Sequence, residues 1–168
     1  VVLFVSVVVA IGLAIMAVRH ERQIARSRLV FESLTRKNWD GDYLDTRMKF
    51  TKLCEPDDMG LAKYIEKQPD YAVAEMVTVR AILNDHEIMA IGIRQGILDE
   101  EYLFRYMRGI AIRDWNRCVA FVTALRVRTQ NPLLYVEFEG LATSWQNNRS
   151  YYGKEDRMPH RVRRVSVS

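Results

Sequence analysis

The chain has 168 residues, two Cys, three His and a formal charge of +4 at neutral pH. Two distant cysteines exclude a disulfide scaffold, and three scattered histidines leave no ligand spacing for a zinc site. The positive charge is confined to the flanks: residues 19–37 and 149–168 each carry +4 and residues 38–148 carry −4, which is not a nucleic-acid footprint.

Val1 to Val18 is a run of eighteen residues without a charge, followed at once by Arg19, His20, Glu21 and Arg22. As a helix the run is roughly 27 Å long, near the lower limit for a bilayer core of about 30 Å. Water-free lipid forces the backbone to satisfy itself, so a helix is expected despite the early valines. The chain has no initiator Met, so residues before Val1 are expected, and they would lengthen the span. A cleaved signal peptide is the first alternative and a buried core helix the second. The apolar region of a signal peptide is normally shorter and ends in a small-x-small site, whereas Ala17 has Ile15 two residues before it. Arg19, Arg22, Arg26 and Arg28 follow the run, and basic residues beside a span stay cytoplasmic. The expectation is a single-pass protein of the inner (cytoplasmic) membrane with its C-terminal body in the cytoplasm. Ala10 and Ala14, with Gly12 between them, make a small-xxx-small pair that would let two spans approach. Basic flanks beside the bilayer also suit anionic headgroups.

The anchor helix is expected to run on through Ile24, Phe31 and Leu34. Trp39-Asp40-Gly41 reads as a break, after which Asp42 caps a helix through Leu44, Met48 and Leu53. Pro56-Asp57-Asp58 is a second break, followed by a short helix ending before Pro69. Pro69-Asp70 opens the strongest helix, Tyr71 to Gln95. It is apolar around most of its circumference and so is expected in the centre of a bundle. Gly96 is placed as its C′ residue, and Asp99 as the cap of the next helix. That helix has Glu100 and Glu101 at its positive end and runs to about Leu125. Asn131-Pro132 reads as the last start, N-cap then Pro at N1, with Leu134, Phe138, Leu141 and Trp145 on one face. Beyond Trp145 no apolar stripe continues, which predicts a disordered basic tail. Cys54 and Cys118 sit among helical apolar residues and read as buried free thiols.

The expected fold class is all-α: a single N-terminal transmembrane helix followed by a bundle of about five helices. The divisions are an anchor at 1–18, a basic juxtamembrane helix and linker at 19–41, a helical domain at 42–146 and the tail at 147–168.

One constellation carries a chemical hypothesis. Arg80, Asn84, Glu87 and Arg94 recur at spacings of 4, 3 and 7, a polar stripe on an otherwise apolar helix. Burying it costs several kcal/mol unless its members pair. Asn84 lies one turn from both Arg80 and Glu87 and could bridge them. Arg113, Asp114 or Arg117 on the next helix, and Glu137 or Glu139 on the last, are the available partners. The stripe reads first as a structural network that sets helix register, then as a solvated face, then as a ligand or catalytic site. His86 beside Glu87 lacks the second His of HExxH, since position 90 is Ala90. No GxSxG, GxGxxG or GxxxxGK[ST] pattern is present. No cofactor or metal is called for.

The stretch Leu83-Asn84-Asp85-His86-Glu87, followed by Ile91-Gly92-Ile93-Arg94-Gln95-Gly96-Ile97-Leu98-Asp99, resembles the bacterial and prophage family known as domain of unknown function 4760. Asn84, Glu87, Gly92, Gly96, Leu98 and Asp99 match its pattern, and Pro132, Tyr135, Glu139 and Trp145 resemble its later segment. His86 stands where an aromatic residue is usual. The resemblance covers roughly residues 1–146. It implies a short protein with one N-terminal span and a helical body, and it brings no activity.

The first functional expectation is a membrane-anchored cytoplasmic interaction or regulatory module, non-enzymatic, partnered by the lipid bilayer and by another protein or by itself. The prophage context implied by the resemblance would suit host modulation or phage exclusion. The second is an enzyme using Glu87, His86 and Arg94 in a cleft between helices. The third is a weak nucleic-acid binder through residues 149–168, although the acidic middle makes nucleic acid an unfavoured partner.

Overall fold

A computed structural model of the chain describes residues 2–55, 60–66 and 72–151. The described elements are all helical: α1 (Val2–Trp39), α2 (Gly41–Leu53), a 3-10 turn (Gly60–Ala62) running into α3 (Lys63–Glu66), α4 (Ala72–Arg94), α5 (Glu100–Thr129) and α6 (Val136–Gln146). The breaks expected at Pro56-Asp57-Asp58 and Pro69-Asp70 fall outside the described residues.

α1 is one unbroken helix, roughly 57 Å long at 1.5 Å per residue. The described apolar residues of its first half, Phe4 to Val18, stand clear of the body, and the most apolar 18-residue window has a mean hydropathy of 1.8 with nothing buried. It is long and apolar enough to cross a membrane, and a signal sequence in this position passes the same test. The second half of α1 is bound to the body. Val30 is buried, Leu34 packs on the core, and Ser27 donates to the Asp99 carboxylate at 2.5 Å.

Local chemistry sets most helix ends. Asp40 opens α2: its backbone is extended and its carboxylate accepts the N–H groups of Asp42 and Tyr43 at 3.0 and 3.1 Å. The cap is thus Asp40 rather than Asp42, which lies in the first turn where its charge favours the helix dipole. α4 ends at Gly96, whose left-handed φ of +66° lets Ile97 N–H reach Gly92 O and Gly96 N–H reach Ile93 O, both at 2.9 Å. Asp99 caps α5 by accepting Tyr102 N–H at 3.2 Å. α5 runs past Leu125 to Thr129 and closes on left-handed Gln130.

The start of the last helix differs from the expectation. Asn131 Oδ1 accepts Leu133 N–H at 3.1 Å, which folds Asn131-Pro132 into a turn rather than a cap. α6 begins only at Val136, after a left-handed Tyr135 that offers no side-chain cap.

The core is built from Phe50, Leu61 and Ile65, from Val79, Leu83 and Ile93 of α4, from Leu103, Cys118, Phe121 and Leu125 of α5, and from Phe138, Leu141 and Trp145 of α6. Each such large side chain contributes about 1.5–3 kcal/mol by leaving water. α4 packs on α2, α3, α5 and α6. It is not enclosed, however: Val73, Val77, Ile88 and Ile91 remain exposed along one side. The ordered body also continues past residue 146, because Tyr151 is buried. Of the predicted tail, residues 152–168 lie outside the described residues.

Candidate functional site

The polar groups of the body gather between α4, α5 and α6. On α4, Arg80 is exposed and holds the hydroxyl of Tyr135. Asn84 is exposed and bridges neither Arg80 nor Glu87 among the described residues. Glu87 reaches the bare start of α6, where it accepts Phe138 N–H at 2.7 Å and Glu137 N–H at 3.3 Å. A side chain from one helix thus caps another, and its charge lies where the α6 dipole favours an anion. Burial is the largest influence on this carboxyl and raises its pKa above the ordinary value, although the two N–H donors pull it down.

Arg94 pairs with Glu137 at 2.8 Å, and the other oxygen of Glu137 accepts the Tyr151 hydroxyl at 2.6 Å. Of the two carboxylates that α6 offered to the stripe, Glu139 pairs instead with Arg126 at 2.8 Å. Two positions on a helix are about 200° apart, so only one of these carboxylates can face α4. Burial and the Glu137 carboxylate both push the Tyr151 hydroxyl pKa up. At the start of α5, Glu100 accepts from Trp145 Nε1, Ser150 and Tyr151 N–H at 2.9, 2.5 and 2.6 Å. The Tyr151 ring lies against Gly140, where an added Cβ would come within 2.9 Å of it. Tyr151 is therefore a clamp on α6 that the sequence reading missed. Its only sequence signal was an aromatic pair, Tyr151-Tyr152, in a polar stretch.

A second network crosses the centre. His86, 1% exposed, stacks on Phe138 with ring centroids 4.4 Å apart and hydrogen-bonds Asp114 through Nε2 at 3.0 Å. Asp114 also takes Arg47 at 2.7 Å. Asp114, suggested as a partner of the stripe, belongs to this network instead. Burial alone would raise its pKa, but the bonds from His86 and Arg47 outweigh that and hold it below the ordinary carboxylate range. His86 fills an aromatic slot while carrying the polar edge that Asp114 needs.

Between α1, α2, α4 and α5 lies a cavity of about 270 Å³, walled by Val30, Leu34, Met89, Leu98, Leu103 and Met107. Lys37 pairs with Asp85 at its rim. Burial pushes the rim hydroxyl of Tyr43 up to about 12, and burial pushes the Cys54 thiol up to about 11. Cys54 and Cys118 are free, and Cys118 is raised further still by burial. Among the described residues no three His, Cys, Asp or Glu side chains converge to hold a metal.

The fold and its polar networks define an all-α helical protein with one long apolar N-terminal helix and a bundle braced by interhelical polar contacts. The chain matches the family model described as Domain of unknown function (DUF4760) over residues 4–145, and it belongs to that family. No curated protein and no solved structure matches it.

Proposed function

We propose that this protein is a membrane-tethered helical interaction or regulatory module, non-enzymatic, with its body on the cytoplasmic side. The observation that supports this best is α1. It continues without a break from a bare apolar half into a half bound to the body at Ser27–Asp99, Val30 and Lys37–Asp85. That continuity favours a retained anchor over a cleaved leader. Arg19, Arg22, Arg26 and Arg28 lie where the helix would leave the bilayer and favour the cytoplasmic orientation. The side chains a catalytic reading would need also have other work: both oxygens of Glu87 accept backbone N–H groups of α6, and Arg94 is paired. The prophage context of the family resemblance adds the finer proposal of a host-modulating or phage-exclusion role.

Fractionation and protease access test the placement. The full chain is expected to stay in membranes through an alkaline carbonate wash. Its body is expected to resist protease added outside intact spheroplasts and to be cut after lysis. Release by carbonate, or digestion from outside, overturns the proposal.

A further inference from the structure

α4 carries two seams of opposite character. Val79, Leu83, His86, Ala90 and Ile93, in steps of four and three, are buried in the core. Ala74, Val77, Ala81, Asn84, Ile88 and Ile91, also in steps of three and four, lie on the other side and are all exposed. Val77 is 62% exposed, Ile88 69% and Ile91 40%, so these side chains meet solvent, with Ile88 also at the edge of the cavity between α1, α2, α4 and α5. An outward helix face is normally polar. Here the only polar residue is Asn84, in the middle. Steps of three and four over roughly 26 Å suit knobs-into-holes pairing with a second helix.

We infer that this seam is the interface of a parallel homodimer, α4 against the α4 of a second copy. Three observations favour that occupant. Any helix laid over the seam desolvates Asn84, and a parallel, in-register copy places a second Asn84 against it, each amide having both donor and acceptor. Arg80 and Asp85 flank the seam on opposite sides, five residues apart. In a parallel pair those two flanking positions meet across the interface, so Arg80 of each copy, which holds Tyr135 within its own chain, comes to the Asp85 of the other, whose carboxylate already takes Lys37 and Tyr43. The direction of α1 supplies the third. As α1 runs from Ser27 to Lys37, its contacts run from Asp99, in the turn just past the end of α4, back to Asp85 within α4, so α4 lies antiparallel to α1. A two-fold axis along α4 keeps both apolar halves of α1 at one end, whereas an antiparallel pairing would send them in opposite directions. This third argument rests on the membrane reading of α1; the first two do not. The seam is short for a free coiled coil. Its helix is already folded within the bundle, however, and two tethered chains meet at raised effective concentration.

Cysteine cross-linking of the full chain in membranes tests the register. Asn84→Cys, Ile88→Cys and Ile91→Cys are each expected to form a disulfide-linked dimer on mild oxidation. The unaltered chain supplies the background from Cys54 and Cys118, and Thr123→Cys on α5 is the off-seam control. Cross-linking only in a mixture of Val77→Cys and Ile88→Cys chains means an antiparallel pair and overturns the proposal. Equal cross-linking at Thr123 means random collision and does the same. Ile88→Glu with Ile91→Glu alters side chains that already face water, so circular dichroism and melting should be retained. The dimer counted by photobleaching in nanodiscs should weaken about a hundredfold or more, since like charges meet in the seam. An unchanged dimer, or one lost only on Ala10→Leu with Ala14→Leu in the apolar half of α1, overturns the proposal. A failed anchor would appear separately, as a chain released by carbonate, and would leave the seam cross-links as an independent result.

Discussion

The Glu87 carboxylate on α4 accepts the backbone N–H of Phe138 on α6 at 2.7 Å, across 51 positions of sequence. Left-handed Tyr135 cannot cap α6, so the neighbouring helix does. Glu87→Ala is expected to cost about 1–2 kcal/mol in urea unfolding. It should also speed hydrogen exchange at the Glu137 and Phe138 amides. Glu87→Gln keeps an acceptor and should lose less. Exchange that stays unchanged at those two amides would show that the bond does not hold the helix end.

Glu87 and Asp114 give opposite pH signatures. The Glu87 pKa is raised when folded, chiefly by burial. Between its ordinary value of 4.5 and the raised one, the native state holds a proton that the unfolded chain has released. Stability therefore falls as pH rises through that window. The Asp114 pKa is lowered when folded: burial opposes this, but the His86 and Arg47 bonds prevail. Its contribution is present above the ordinary 3.8 and is lost as pH falls through the depressed value. Denaturant midpoints measured from about pH 3 to pH 8 should lose the first slope in Glu87→Gln and the second in Asp114→Asn.

Removing Asp114 altogether takes from the buried His86 ring and the half-buried Arg47 guanidinium the acceptor they share. Asp114→Ala is expected to cost about 3–5 kcal/mol, because one member of a buried pair is lost. Replacing His86 and Asp114 together, as His86→Phe with Asp114→Leu, should recover part of that, since Phe keeps the stack on Phe138 and Arg47 can turn to water. A double variant no better than Asp114→Ala would place the cost elsewhere than in the unpaired groups.

Gly92 lies in the last turn of α4, just before the chain folds back into α5. A Cβ there would stand 2.7 Å from Leu98 Cδ1. Gly92→Ala should cost about 1–3 kcal/mol through overpacking. Leu98→Ala alone should also destabilise, but in the double variant the two costs should fall short of additive. Strict additivity in thermal or urea melts would rule out the contact as the cause.

Tyr151 tests where the body ends. Tyr151→Ala empties a buried site and is expected to cost about 3–5 kcal/mol. Tyr151→Phe removes only the hydroxyl on Glu137, a charged acceptor, and should cost about 1.5–3 kcal/mol. A melting temperature untouched by Tyr151→Ala would return the boundary to residue 146.

Much of this architecture was legible in the sequence. Gly96 and Asp99 could be read as helix stop and start because their effects reach only three to five residues along the chain. The apolar run before Arg19 was legible for the same reason, since length and composition carry it. His86 and Asp114 were half legible. Each lies on a core-facing row with steps of three and four, Asp114 between Ala111 and Cys118, which marks it as buried yet does not name its partner. Periodicity states which side of a helix a residue occupies. It does not state which helix comes to that side or at what rotation.

The sequence by itself therefore determined the helical elements, the stop at Gly96, the cap at Asp99 and the apolar N-terminal segment, all consequences of contacts within a turn or of composition. Tertiary structure alone decided that Glu87 caps α6 where Asn131 was expected to, that Glu137 rather than Glu139 meets Arg94, that Tyr151 closes the body, and that one seam of α4 stays open. Those outcomes depend on the rotation and placement of whole helices against one another, which the packing of the entire core sets and no single segment encodes.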